Sequence, residues 1–193
     1  MNEGMKVIFL DIDGVLNGYN FWNILGWEIV RRTNSNHLKG WYRKLTSPHG
    51  VHKRKVKLLA KIVHKTGAKV VISSCWRFSL KKGENLSDDE LKLLKLFHKY
   101  HIDIYDYTPN LPSGVRETEI LAWIFRNPDV GNNFVVLDDD SEDLQHLVKK
   151  GLLVQTSSFM ESRLLGGKGY VTAGLNRKYT KEAIKILNRE QNM

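Results

Sequence analysis

The sequence predicts an α/β fold, with a central parallel sheet of about five strands sandwiched between helices. Three observations carry that prediction. Short apolar, β-branched runs alternate with amphipathic helical segments, the order that builds parallel βαβ units. The runs are apolar at nearly every position, as strands covered on both faces must be. Three of them end abruptly in polar clusters: Asp11 and Asp13 after Val7 to Leu10, Ser73 and Ser74 after Ala68 to Ile72, and Asp138 and Asp139 after Phe134 to Leu137. The carboxyl ends of such strands are where ligands bind.

Taken in order, Val7 to Leu10 forms the first strand, and Gly14 lets the chain turn sharply behind the two acids. Residues 18–52 lack a clean period and interleave aromatics with Arg and Lys, as a small insert after the first strand with one short helix over Phe21 to Arg32. Lys53 to Lys65 is an amphipathic helix with Val56, Leu59, Ile62 and Val63 inward and lysines outward, stopped at Gly67. The second strand, Ala68 to Ile72, follows. Ser87 and Glu90 form a capping box at the head of a helix reaching about Tyr100. Ile102 to Tyr105 is the third strand, and Arg116 to Phe125 is a helix ended by Asn127-Pro128. Phe134 to Leu137 is the fourth strand, Ser141 to Lys150 a helix in which Asp140 and Asp143 cap, and Leu152 to Thr156 the fifth strand. Leu164 to Gly174 is a glycine-rich mobile loop, and Thr180 to Glu190 a closing amphipathic helix. Gly166-Gly167-Lys168-Gly169 is not a Walker phosphate loop, since no Ser or Thr follows the lysine.

The 193 residues suit a single domain with a sizeable core. No run approaches the roughly 18 apolar residues of a membrane span, and a strand so close to the first residue leaves no room for a signal peptide. Cys75 is the single cysteine, so no intrachain disulfide forms and a reducing cytoplasm is the expected setting. The net charge of +9 is uneven: Ile29 to Gly83 holds fifteen Lys or Arg and no acid, while Glu84 to Asp143 holds fourteen acids against five basic residues. A basic excess confined to one stretch suits a polyanionic partner, although a merely solvated surface has the same composition. Aromatics between cations suit stacking on bases, although they also suit a small core for the insert.

Buried carboxylates need a cation or a chemical role. With no thiolate and no paired histidine near them in the pattern, Asp11, Asp13, Asp138 and Asp139 favour a hard, oxygen-seeking ion, and Mg²⁺ fits best. Arg77 is a candidate phosphate clamp, because a guanidinium grips phosphate bidentately.

Asp11-Ile12-Asp13-Gly14, Ser73, Arg116 and Asp138-Asp139 occur in the order of the motifs of haloacid-dehalogenase-type phosphatases, which the chain resembles across residues 7–140. Asp-Ile-Asp-Gly-Val-Leu-Asn, Ser-Ser-Cys-Trp-Arg, Leu-Asp-Asp-Asp and Gly174-Leu175 look more narrowly like the phosphatase domains of Swiss-army-knife RNA repair proteins. That group is similar to the 3′-phosphatase half of polynucleotide kinase-phosphatases. The resemblance implies a Rossmann-like three-layer sandwich. It also implies Asp11 as nucleophile, Asp13 as general acid and base, and Ser73, with Ser74 the alternative, on a phosphoryl oxygen. Mg²⁺ would sit on Asp11, the Asp13 backbone carbonyl and Asp138, with Asp139 direct or through water. The family's cation is usually lysine, but no lysine occurs between Lys99 and Lys149. Arg116, at the start of its helix, is the expected substitute; Arg126 lies at a helix end where dipole reasons alone place cations.

The expected activity is removal of a terminal phosphate, 3′ by resemblance, from a nucleic acid. Trp76, Arg77, Ser74 and Gly14 are the expected substrate contacts. Two alternatives stay open: a nucleotidase on free mononucleotides, with Trp22, Trp27 or Trp76 stacking on the base, and a non-catalytic nucleic-acid-binding module.

Overall fold

A computed structural model describes residues 4–17, 50–156 and 174–189. The body of the expected insert, its helix and most of the glycine-rich loop lie outside the described residues.

Five parallel strands form one sheet: β1 (Val7–Leu10), β2 (Lys69–Ile72), β3 (Ile104–Tyr107), β4 (Phe134–Asp138) and β5 (Leu153–Gln155), in the order β3-β2-β1-β4-β5. β1 is central and buried at every position, which is why its four residues are all large and apolar. Phe9 packs edge-on against Trp123 and Phe134, with ring centroids 5.4 and 5.5 Å away.

The helices are α1 (Lys53–Thr66), α2 (Arg77–Lys82), α3 (Asp88–Lys99), α4 (Arg116–Arg126), α5 (Gln145–Lys149) and α6 (Arg177–Leu187). Right-handed crossovers put α1 and α3 on one face of the sheet and α4 and α5 on the other. α6 returns to the first face, against α1, β4 and β5. Gly67 ends α1 with its backbone at φ 68°, and its N–H closes on the Val63 carbonyl. The Ser87–Glu90 capping box forms as the sequence predicts.

Five details differ from expectation. α6 starts three residues before the expected Thr180, because Asn176 caps it there by accepting from the Lys178 and Tyr179 N–H groups. α2 is extra: it carries one buried apolar residue, Leu80, too few to show a period. β3 lies two residues later than expected, because His101 turns at φ 53° and Ile102 is buried in that turn rather than in the strand. The register of β3 on β2 also shifts between Val70 and Val71. The segment 141–150 is not one helix but a 3₁₀ turn, Glu142–Leu144, followed by α5.

Phe9 joins sheet and α4, so Phe9→Ala is expected to cost about 3–5 kcal/mol. Urea unfolding should show a lower midpoint at unchanged slope.

Candidate active site

The site follows from strand register. Leu10 pairs with Ile72 on one side and Leu137 on the other, so the next residues, Asp11, Ser73 and Asp138, fall in one row across three adjacent strands. Backbone bonds continue the ladder one step further, from Asp11 N–H to Leu137 O (2.9 Å) and Ser73 N–H to Leu10 O (3.0 Å). One carboxylate oxygen each from Asp11, Asp138 and Asp139 lies within 4.8 Å of the other two. Asp11 and Asp138 are buried and Asp139 half-buried.

Arg116, at the first position of α4, reaches into this cluster. Its Nη1 pairs with Asp138 Oδ2 and lies 3.4 Å from Asp11 Oδ1. One cation does not offset three desolvated acids. Burial, then Asp138, raises the Asp11 pKa from 3.8 to about 8, against the pull of Arg116. Burial raises Asp138 and Asp139 as well. Burial disfavours the charged form of Arg116, but Asp138 and Asp11 outweigh it and hold the guanidinium charged.

Asp13 is treated differently. It is exposed, and neutral donors hold both its oxygens: Asn17 Nδ2 donates to Oδ1 (2.6 Å) and Trp76 Nε1 to Oδ2 (2.9 Å). Asn17 Oδ1 accepts from the Gly14 N–H (2.9 Å), closing the turn. Gly14 is obligatory here: its φ is 72°, and a Cβ would overlap the Asp139 carboxyl. Thr156 Oγ1 donates to the Gly14 carbonyl (3.0 Å).

Ser73 Oγ is buried and has no hydrogen-bond partner among the described residues. A buried hydroxyl left without a partner is costly, so it marks a place where an acceptor belongs. Ser74 is buried too, but its carbonyl is taken by Arg77 (3.2 Å) and its Oγ faces the Trp76 N–H (3.5 Å).

Arg77 corrects the expectation of a phosphate clamp. Its guanidinium turns inward, donating to the Ser73 carbonyl (2.8 Å) and to Glu119 Oε2 (2.7 Å). Both partners of that ion pair are buried. Glu119 Oε1 accepts from the Leu111 N–H (3.0 Å), so the pair ties the Ser73-Ser74 turn to the loop before α4. Arg77 braces the site rather than meeting ligand. Trp76, half-buried, has its indole N–H committed to Asp13.

Two further residues support the site. Asn17 appears in the sequence only as part of a motif. Lys55 belongs to a helix whose lysines are expected outward, yet it is buried, its Nζ donates to the Asn17 carbonyl (2.7 Å), and burial lowers its pKa to about 8. The spacing of 55, 59, 62 and 66 already placed it on the inward stripe. Gly174, at φ 86°, closes over this point; a Cβ there would sit 2.6 Å from the Val15 carbonyl and collide with Lys55 Nζ.

A Rossmann-like sheet with acid clusters following its first and fourth strands is the architecture of the haloacid dehalogenase superfamily. Residues 7–160 match the family model described as the HAD domain in Swiss Army Knife RNA repair proteins, and the chain belongs to that family. No curated protein and no solved structure matches the chain. Membership brings a phosphatase-type function. Among the described residues, no helix is long and apolar enough to cross a membrane.

Two outcomes follow. Removing Glu119 strands a buried guanidinium, so Glu119→Ala should cost about 3–5 kcal/mol in chemical unfolding. The raised Asp11 pKa means the folded state keeps a proton that the unfolded chain loses near pH 4. That stabilisation is full below pH 4 and is lost as pH rises to about 8. In EDTA the thermal midpoint of the wild type should therefore fall between pH 5 and 8 more steeply than that of Asp11→Asn. Equal slopes would refute the assignment.

Proposed function

We propose that this protein is a Mg²⁺-dependent phosphomonoesterase that removes a terminal phosphate, at a 3′ end, from nucleic acid by way of an aspartyl phosphate. The observation that carries the reading is the single row of Asp11, Ser73 and Asp138 under the Arg116 guanidinium.

The residues fit the metal: three carboxylate oxygens converge at a largely buried sheet edge, all hard donors, with more negative charge than Arg116 offsets. Asp11, Asp138 and the Asp13 carbonyl would hold Mg²⁺, with Asp139 direct or through water. Bound there, the ion supplies charge neutralisation for carboxylates and phosphate alike and favours ionised Asp11.

An Asp11 carboxylate oxygen attacks phosphorus, and the phosphorus–ester oxygen bond breaks. Protonated Asp13 gives its proton to the leaving sugar oxygen, so the product departs as an alcohol. Asp13, now a carboxylate, takes a proton from water, whose oxygen attacks phosphorus and frees inorganic phosphate and Asp11. Ser73 Oγ donates to a phosphoryl oxygen, which gives its unpartnered hydroxyl an acceptor. Arg116 meets the negative charge that gathers on the phosphoryl group. Asn17 and Trp76 hold the Asp13 carboxylate toward the ester oxygen through both steps. The lone cysteine, exposed and free, suits a reducing cytoplasm.

A 3′-phosphorylated oligonucleotide should lose phosphate in the presence of Mg²⁺, and faster than a 3′-mononucleotide at equal concentration. Asp11→Asn should reduce release to background, and Asp13→Asn should lower kcat by about 10²–10⁴-fold. Full activity in Asp11→Asn sinks the covalent mechanism; preference for the mononucleotide sinks the polymer substrate.

A further inference from the structure

Two helices that lie side by side on one face of the sheet, α1 and α6, stand out by their charge; α3, on the same face, mixes Asp88, Asp89 and Glu90 with three lysines. α1 contains no acidic residue, and Glu182 is the single acid of α6. Their inward stripes are apolar, so the cations are driven outward. Lys57 and Lys61 sit at the middle of the outer face of α1, and Lys181 and Lys185 at the same place on α6; all four are exposed. Among the described residues none of the four has an ion-pair partner. Like charges four apart on a helix repel, so such spacing costs stability unless an external anion meets it. The opposite face mixes signs, with Arg126 and Lys149 against Asp129, Glu142 and Asp143.

Both helices begin at the rim of the candidate site. His52 N–H, just ahead of α1, donates to the Leu16 carbonyl, and Leu175 N–H, just ahead of α6, to the Val15 carbonyl, each at 2.9 Å. From there they run the length of the sheet, about 21 Å for the 14 residues of α1 at roughly 1.5 Å each. A strand of B-form rise, about 3.4 Å per nucleotide, would lay roughly six phosphates along it.

We propose that the outer faces of α1 and α6 form a docking track for the phosphodiester backbone of the nucleic acid whose end enters the site. The inference rests on the phosphatase reading for the identity of the polymer. An anionic membrane is the weaker fit: the large apolar side chains exposed among the described residues, such as Phe78, Leu121, Phe125 and Val148, lie outside α1 and α6, so this face has nothing to insert into lipid.

The test compares the wild type with a Lys57→Gln, Lys61→Gln, Lys181→Gln, Lys185→Gln variant, and with an Arg126→Gln, Lys149→Gln, Lys150→Gln control on the other face. Substrates are a 3′-phosphorylated 12-mer and p-nitrophenyl phosphate. The quadruple variant should raise KM for the 12-mer about tenfold. It should also flatten the slope of log KM against log salt by roughly 3, since each lost phosphate contact releases about 0.7–0.9 fewer counterions. Its kcat/KM for p-nitrophenyl phosphate, and both substrates in the control, should stay unchanged. An unaltered KM and salt slope for the 12-mer overturns the track while leaving the reaction standing. Binding of a fluorescein-labelled 12-mer without phosphate separates the two readings. If the wild type binds it without hydrolysing its phosphorylated form and the quadruple variant does not bind it, the track stands and the phosphatase reading falls. Binding to phosphatidylserine vesicles but not to the 12-mer overturns the track in favour of a membrane.

Discussion

Everything in this structure depends on the mutual repulsion of carboxylates held at a largely buried sheet edge. Three acids cannot all be ionised there against one guanidinium, and the raised pKa of Asp11 expresses that conflict. The rest of the fold keeps the acids from escaping it. β1, β2 and β4 share one register, so Asp11 and Asp138 cannot separate without breaking ladder bonds. Gly14 lets the turn pass flush against Asp139, and α4 projects Arg116 into the cluster from its first turn. A site so preorganised and so short of positive charge is built to receive it.

The frame was legible because a buried strand has a plain signature. Val7–Leu10, Val70–Ile72 and Phe134–Leu137 are apolar runs stopped by polar residues, and a buried carboxylate at such an ending needs a cation or a chemical role. Aligned runs of similar length in a parallel sheet then bring their ends together. Arg116 was legible through the family resemblance, which asks for a cation in a part of the chain where few lie.

What sequence did not disclose lies in contacts between distant residues. Arg77 stands three residues after the second of two site serines, and nothing local reveals that its partner is Glu119, 42 positions away. Guanidinium chemistry fits phosphate and carboxylate equally well, so the residue type could not decide between them. Lys55 was misplaced for a different reason: four outward lysines on the same helix masked one whose phase is inward. β3 slipped because the apolar start of the segment, Ile102, is used in a turn, and an edge strand with Tyr105 and Asp106 exposed has no continuous apolar run to fix it.

Two aspartates two residues apart in this chain stand in opposite surroundings, and the division has a chemical sense. Asp11 is buried among like charges, where it is a poor anion until extra positive charge arrives. Asp13 faces solvent with each oxygen on a neutral N–H, an arrangement that fixes its orientation. In the proposed reaction the group that exchanges protons needs that fixed orientation, whereas the nucleophile benefits from an environment that changes with its ligands. The same segment supplies both environments because the chain leaves the extended strand for a turn at Asp13, and Asn17, whose carbonyl accepts from the Lys55 ammonium and whose side chain accepts from the Gly14 N–H, fixes that turn.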